Sequence, residues 1–469
     1  MVKERVKTLI LILLLLNCVF LTYRLWFGSG MLDPAESYLS VSELPFVRYF
    51  SNLNHHSVPK ENLSKPRKIV INDGSLWIPY YNTDDAFATL AERTEEIVRA
   101  CLRGEGERRD SSYTEWLENL NEQCIYVEYP IEVTPRMLAM ILGEQSENFP
   151  SSIDRVKDVI IIPSGEEKVE VAVRDVDSDT AAVFSLGPRY AFPEAILAMY
   201  ANENPRDGYY EFAFSTLLSD AGFGSGNVVV DDLVLFSDNY AEVANITAAN
   251  LLSRDKYGAL LKSFSLSAQP LRHYQDEWGC ENYVENYATV RIYPDGYVEY
   301  SAVDPEKGIY ITGSEKNEYE TLNSAIDFAE RVWSSISDEP LNVLVSGIEA
   351  DGDGRSRFTF DYYYGGREVA IKMLGEGRDA LYHAIEIETV GGRITSYRQY
   401  MRGYSNSSAT SAQESFVSAL DYLVTALSER ESVKISDIYP GYYDDGTRAM
   451  MRTTWLAAID GSEEIMAIN

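Results

Sequence analysis

Residues 1–30 constrain this chain more than any other segment. A basic stretch (Lys3, Arg5, Lys7) precedes an apolar run, Thr8 to Tyr23, that closes as Arg24-Leu25-Trp26-Phe27. From Thr8 to Phe27 the run holds about 20 residues and spans about 30 Å as a helix, which matches a bilayer's hydrocarbon core. Arg24 lies near one end, where its stem can snorkel, and Tyr23 and Trp26 suit the interfacial belt. With the positive flank inside, the N-terminus is cytoplasmic and the bulk of the chain extracytoplasmic. The pattern predicts a single-pass cell-membrane protein. Lipoprotein cleavage at Leu15-Leu16-Asn17-Cys18 fits less well, because Asn17 stands where a small residue is needed and the run continues past Cys18. Cleavage after Gly28-Ser29-Gly30 requires an unusually long apolar region followed by Arg24, so an uncleaved anchor is the preferred reading.

The charge supports this division. The formal net charge is −32, yet residues 1–30 are net positive, so the acidity belongs to the body beyond the anchor. Such a surface repels phosphate backbones and excludes nucleic acid as a partner. With 45% apolar residues and 33 tyrosines in 469 positions, the body has material for several cores and is not a disordered acidic tail. Beyond the anchor stand Cys101, Cys124 and Cys280. An odd count leaves at least one unpaired, and a Cys101–Cys124 disulfide stays open.

The periodicities predict an α+β fold: a transmembrane anchor (1–30), a juxtamembrane linker (31–68), an N-terminal α+β domain (69–205), a middle α+β domain (206–287) and a C-terminal domain (288–469). In the first domain, strands are expected at Lys68–Asn72, Ile125–Val133, Val156–Pro163, Val169–Asp175 and Ala181–Leu186. Helices are expected at Asp84–Arg103, capped by Thr83 or Asp84, and at Pro135–Gly143, with Gly104–Ser112 a charged loop. A helix near Pro193–Asn202 leads to a break at 205. Asn227–Phe236 reads as a core strand, Tyr240–Ser253 as a helix and Leu266–Glu281 as a link. The last domain runs as hairpin (Thr289–Ala302), helix (Tyr319–Ile336), antiparallel strands, helix (Ser411–Leu427) and final strands. That order predicts an antiparallel sheet with helices on one face.

No chemical motif holds up in context. Ser237-Asp238-Asn239 and Ser253-Arg254-Asp255-Lys256 are penicillin-binding-type elements in reversed order, without a KTG strand. Gly375-Glu376-Gly377-Arg378-Asp379-Ala380 matches GxGxxA but leads into a strand, so no helix N-terminus awaits a phosphate. Asp351-Gly352-Asp353-Gly354 starts like a calcium loop, yet Arg355 takes the fifth position and Tyr362 the twelfth. The four histidines (His55, His56, His273, His383) form no zinc motif. The residues point to a binding protein rather than an enzyme, with no catalytic residue, metal or cofactor.

Both ends of the chain bear a resemblance. Lys3-Glu4-Arg5-Val6-Lys7 with the apolar run and Leu25-Trp26 resembles the anchor of YycH proteins. His383 to Glu388, Gly391-Gly392-Arg393-Ile394 and Ser396-Tyr397-Arg398 look like the glycine-turn strand pair of PepSY-like domains. Ile435-Ser436-Asp437-Ile438-Tyr439-Pro440-Gly441-Tyr442-Tyr443 followed by Trp455 is similar to the C-terminal signature shared by YycH and YycI. The resemblance makes Gly391, Gly392, Ile438, Gly441, Tyr442, Tyr443 and Trp455 structural signature positions. It implies a Gram-positive-type accessory protein of the YycG (WalK) sensor histidine kinase, acting with YycI in cell-wall metabolism, with a PepSY-like C-terminal domain. The anchor then offers a face to the kinase's transmembrane helices, with Asn17 either bonding across that interface or locally within its own helix. The other reading is a PepSY-like inhibitor or chaperone of a secreted cell-envelope hydrolase.

Overall fold

The computed structural model describes residues 65–468 except 83, 145–148, 166, 192–196, 198–209, 215–226, 238–241, 267–270, 312–317, 352–353, 375–377 and 431. The anchor with Asn17, Arg24 and Trp26, the helix expected at Pro193–Asn202 and the glycines of Gly375–Ala380 lie outside the described residues, wholly or in part. Among the described residues no helix is long and apolar enough to cross a membrane.

The first half forms a seven-stranded antiparallel sheet. Its order is Trp77–Tyr80, Lys68–Asn72, Cys124–Val133, Val156–Pro163, Val169–Arg174, Thr180–Leu186 and Glu107–Ser112. Alternation along Lys68–Asn72 divides its side chains between two cores. Ile69 and Ile71 join one core, which also takes residues of the helices Phe87–Leu102 and Pro135–Ile141. Val70 joins another, with Trp116 and Leu120 of the helix Tyr113–Asn121. Burial on both faces explains the near-continuous apolar run. Two local expectations change. The charged loop ends in the strand Glu107–Ser112, whose exposed Arg108, Arg109 and Asp110 suit an edge of the sheet. The helix after Asp84 begins at Phe87, its N-cap is Ala86 without a side-chain cap, and Asp84 instead accepts from the Tyr81 amide at 2.6 Å.

The segment 206–287 distributes its strands widely. Tyr210–Phe212 pairs with Leu235–Ser237, Val228–Val230 runs parallel to Val433–Asp444, and Glu281–Val284 pairs with Ala288–Ile292. The helix expected at Tyr240–Ser253 is the strand Glu242–Asn250, antiparallel to Arg402–Ala412. Its alanines suit a helix, but Val243, Ile246 and Thr247 suit a strand, and the exposed ladder of Arg402–Ala412 decides between them. The helix expected from Ser411 accordingly starts at Phe416, after an N-cap in which Ser415 accepts from the Ser418 amide at 3.1 Å.

The C-terminal segment builds most of a fourteen-stranded, largely antiparallel sheet. The helix Glu318–Ser334 turns Leu322, Ala325, Ala329 and Val332 into the core, and Phe328 meets Tyr397 edge-on with ring centroids 5.3 Å apart. Gly391 and Gly392, at φ 57° and 71°, form the two-residue turn between Ile385–Val390 and Arg393–Tyr400. Positive φ at both central positions is what a type I′ hairpin needs. Cys101, Cys124 and Cys280 are buried free thiols, so Cys101 and Cys124 are not joined.

Candidate functional site

The strand Val433–Asp444 is the seam of the molecule. It runs parallel to Arg367–Ile371 and Val228–Val230 and antiparallel to Thr454–Ile459. Four signature positions lie on it (Ile438, Gly441, Tyr442, Tyr443), and Trp455 pairs in register with Pro440 on the neighbouring strand. Tyr442 donates to the Ala244 carbonyl at 2.8 Å, and Trp455 donates from Nε1 to the Glu414 carbonyl at 2.8 Å. A Cβ on Gly441 would lie 2.8 Å from the Glu368 carbonyl oxygen and closer still to Leu456. Gly441→Ala should therefore cost about 1–3 kcal/mol, read as a lowered urea midpoint with unchanged slope; an unchanged midpoint refutes the packing argument.

A cluster of buried charges joins this seam to the first sheet. Register places Lys68 opposite Glu128, and Lys68 Nζ stands 2.8 Å from a Glu128 oxygen. Arg67 donates to Asp437 at 2.9 Å, lies over the Tyr439 ring at 3.9 Å, and approaches Glu368 at 3.7 Å. Tyr439 donates its hydroxyl to Glu368 at 2.8 Å. Burial works against ionisation of Glu128, but Lys68, Lys157 and Arg67 overcome it and hold the carboxyl at about 2. At Glu368 burial prevails over Arg67, and the carboxyl is pushed up to about 7. Beside these groups lies a partly enclosed cavity of about 140 Å³, lined among others by Arg67, Leu344, Tyr363, Asp437, Ile438 and Trp455.

A second polar cluster surrounds His383. Its Nδ1 lies 3.1 Å from both Asp361 oxygens and 3.2 Å from the Ser346 hydroxyl. A nucleophile–base–acid relay needs serine and carboxylate on opposite ring nitrogens, so this grouping lacks that geometry. Burial alone would lower the imidazole, but the Asp361 charge and hydrogen bond, with Glu386 and Glu463, raise it to about 9. Arg357 is held by Glu386 at 3.2 Å and by Glu463, and Arg398 by Glu386 at 2.5 Å. Among the described residues no group of three His, Cys, Asp or Glu side chains is placed to hold a metal ion. Near the glycine loop, Met373 bridges Leu381 antiparallel, and Arg378 pairs with Asp295.

The sequence marks the signature positions as structural by resemblance but does not single out the charges beside the seam. The available signal was a charge inside each of three strands otherwise rich in apolar residues: Lys68 in Lys-Ile-Val-Ile-Asn, Glu128 in Ile-Tyr-Val-Glu-Tyr and Asp437 in Ile-Ser-Asp-Ile-Tyr.

No protein-family model matches the sequence, and no curated protein matches it. Comparison of folds does find a match. The crystal structure of YycH from Bacillus subtilis aligns with a TM-score of 0.56 over 88% of this chain and 98% of that one, at 10% sequence identity. The chain has a YycH-like fold. A likeness of that extent is not confined to residues 288–469, where most of the signature positions fall. At 88% of the chain it extends into the first sheet as well. At 10% identity the likeness concerns the backbone, so the junction's side-chain chemistry is read from this chain alone.

Proposed function

We propose that this protein is a membrane-anchored extracytoplasmic regulator of a YycG/WalK-like sensor histidine kinase, acting with a YycI-like partner in the control of cell-wall metabolism. The observation that carries the reading is the YycH-like fold over most of the chain, in a sequence that opens with an apolar run of membrane-spanning length. In this reading the body meets a partner outside the membrane while the anchor packs against kinase helices. Such a regulator works only by binding the kinase's signalling states with different affinities.

The test exchanges Thr8–Phe27 for an unrelated apolar helix of equal length in the full chain. Output of a kinase-dependent reporter should lose its dependence on this protein, although membrane insertion is retained. Full regulation by the exchanged chain would overturn the transmembrane part of the reading. Purification of the native chain from detergent should bring down the histidine kinase; capture of a secreted hydrolase instead would favour the inhibitor or chaperone reading.

A further inference from the structure

Arg367 is a half-buried guanidinium on the wall of the cavity beside the charged junction, and it has no carboxylate partner among the described residues. Its Nη1 is buried without a hydrogen-bond partner. Burial lowers its pKa, and the groups that oppose this are the tyrosines Tyr442, Tyr81, Tyr363 and Tyr210. Two more donors of the same cavity are buried without hydrogen bonds: Arg67 Nη2 and the Gln413 amide Nε2, on a side chain only 7% exposed. The nearby acids are engaged elsewhere, Asp437 with Arg67 and Lys68, and Glu368 with Arg67 and Tyr439. An uncompensated cation inside a protein is costly, and unpaired buried donors add to the cost. Three such donors around one empty space form a receptor for acceptor oxygens.

We propose that this cavity binds a small monocarboxylate, whose carboxylate pairs with Arg367 and takes hydrogen bonds from Gln413 and Arg67, and whose apolar body packs against Leu344, Tyr363 and Trp455. A planar guanidinium fork matches a planar carboxylate. Charge favours a single negative charge: Lys68 is paired with Glu128 and Arg67 with Asp437, which leaves Arg367 as the cation of this cavity without a carboxylate partner among the described residues. At about 140 Å³ the space suits a body the size of one aromatic ring, since a cavity of about 150 Å³ holds benzene. The walls come from both sides of the seam, Arg67 and Lys68 from the first sheet and Arg367, Asp437 and Trp455 from the C-terminal one. A bound carboxylate thus bridges the two. The site stands independently of the kinase reading, because its test measures binding alone.

The test uses the full chain in detergent and follows thermal unfolding with benzoate, its neutral isostere benzamide, and inorganic phosphate. Benzoate at about ten times its Kd should raise Tm by about 2 °C, with no comparable shift from benzamide or phosphate. Arg367→Met should abolish the benzoate shift while leaving the unliganded Tm unchanged or higher, since it removes an unpaired cation. A benzamide or phosphate shift as large as that of benzoate would refute the monocarboxylate assignment. So would a benzoate shift that survives in Arg367→Met, or no benzoate response at all, which means water alone fills the cavity. An unliganded Arg367→Met protein several degrees less stable than wild type would show that Arg367 serves the fold instead.

Discussion

Lys68→Met should lower the unfolding free energy of the folded body by about 3–5 kcal/mol, the largest effect expected from any single substitution at the junction. Lys68 and Glu128 are 7% and 5% exposed at their side chains, so neither charge is rescued by water when its partner is removed. Lys68 also approaches Asp437 at 3.8 Å. After the change Glu128 retains Lys157 at 3.9 Å, Arg67 at 3.7 Å and the Tyr126 hydroxyl, which donates to it at 3.3 Å. The loss is therefore mainly the cost of a poorly compensated buried carboxylate, not the net worth of an ion pair. That distinction is testable. Lys68→Met combined with Glu128→Leu should recover most of the stability, because exchanging a whole buried pair for apolar side chains is often neutral. Urea unfolding of wild type, the two single variants and the double variant measures the coupling. A double variant as unstable as Lys68→Met alone would contradict this account.

The second large effect is a fall of stability at alkaline pH that depends on His383. The imidazole is raised from its ordinary 6.5 to about 9 in the folded state. A group raised on folding contributes stability that is fully present below the unfolded pKa and is lost as pH rises through the folded one. The contribution is thus complete near pH 6 and gone by about pH 10, a difference of about 3 kcal/mol for a largely buried group. Other groups titrate at the upper end of this range, so the measurement is a comparison. His383→Gln, which keeps a donor for Asp361 without the titration, should show a flatter profile between pH 6.5 and 9. Parallel profiles for the two proteins would show that His383 is not the group responsible.

Much of the fold was legible where local chemistry is self-sufficient. The hairpin through Pro294-Asp295-Gly296 is present as Ala288–Ile292 paired with Tyr297–Ala302, and Gly391-Gly392 turns where two positive φ angles are required. The helix Glu318–Ser334 follows from its apolar spacing alone. Misreadings fell where a distant partner overrode propensity. Glu242–Asn250 is a strand because Arg402–Ala412 presents a ladder to it, and Glu107–Ser112 is a strand because Thr180–Leu186 does. Neither partner is visible from the local sequence.

The same boundary separates the two halves of the functional argument. By itself the sequence determined an apolar run of membrane-spanning length behind a basic start, an acidic body, and the turns and apolar faces of the sheets. These follow from short-range geometry and summed charge. Only the tertiary structure decided which buried charges meet. Arg67 and Asp437 are 370 positions apart and become an ion pair because the first sheet docks on the seam. Among the described residues Arg367 has no counter-ion for the same reason: packing, not sequence neighbourhood, fixes who stands beside a buried cation.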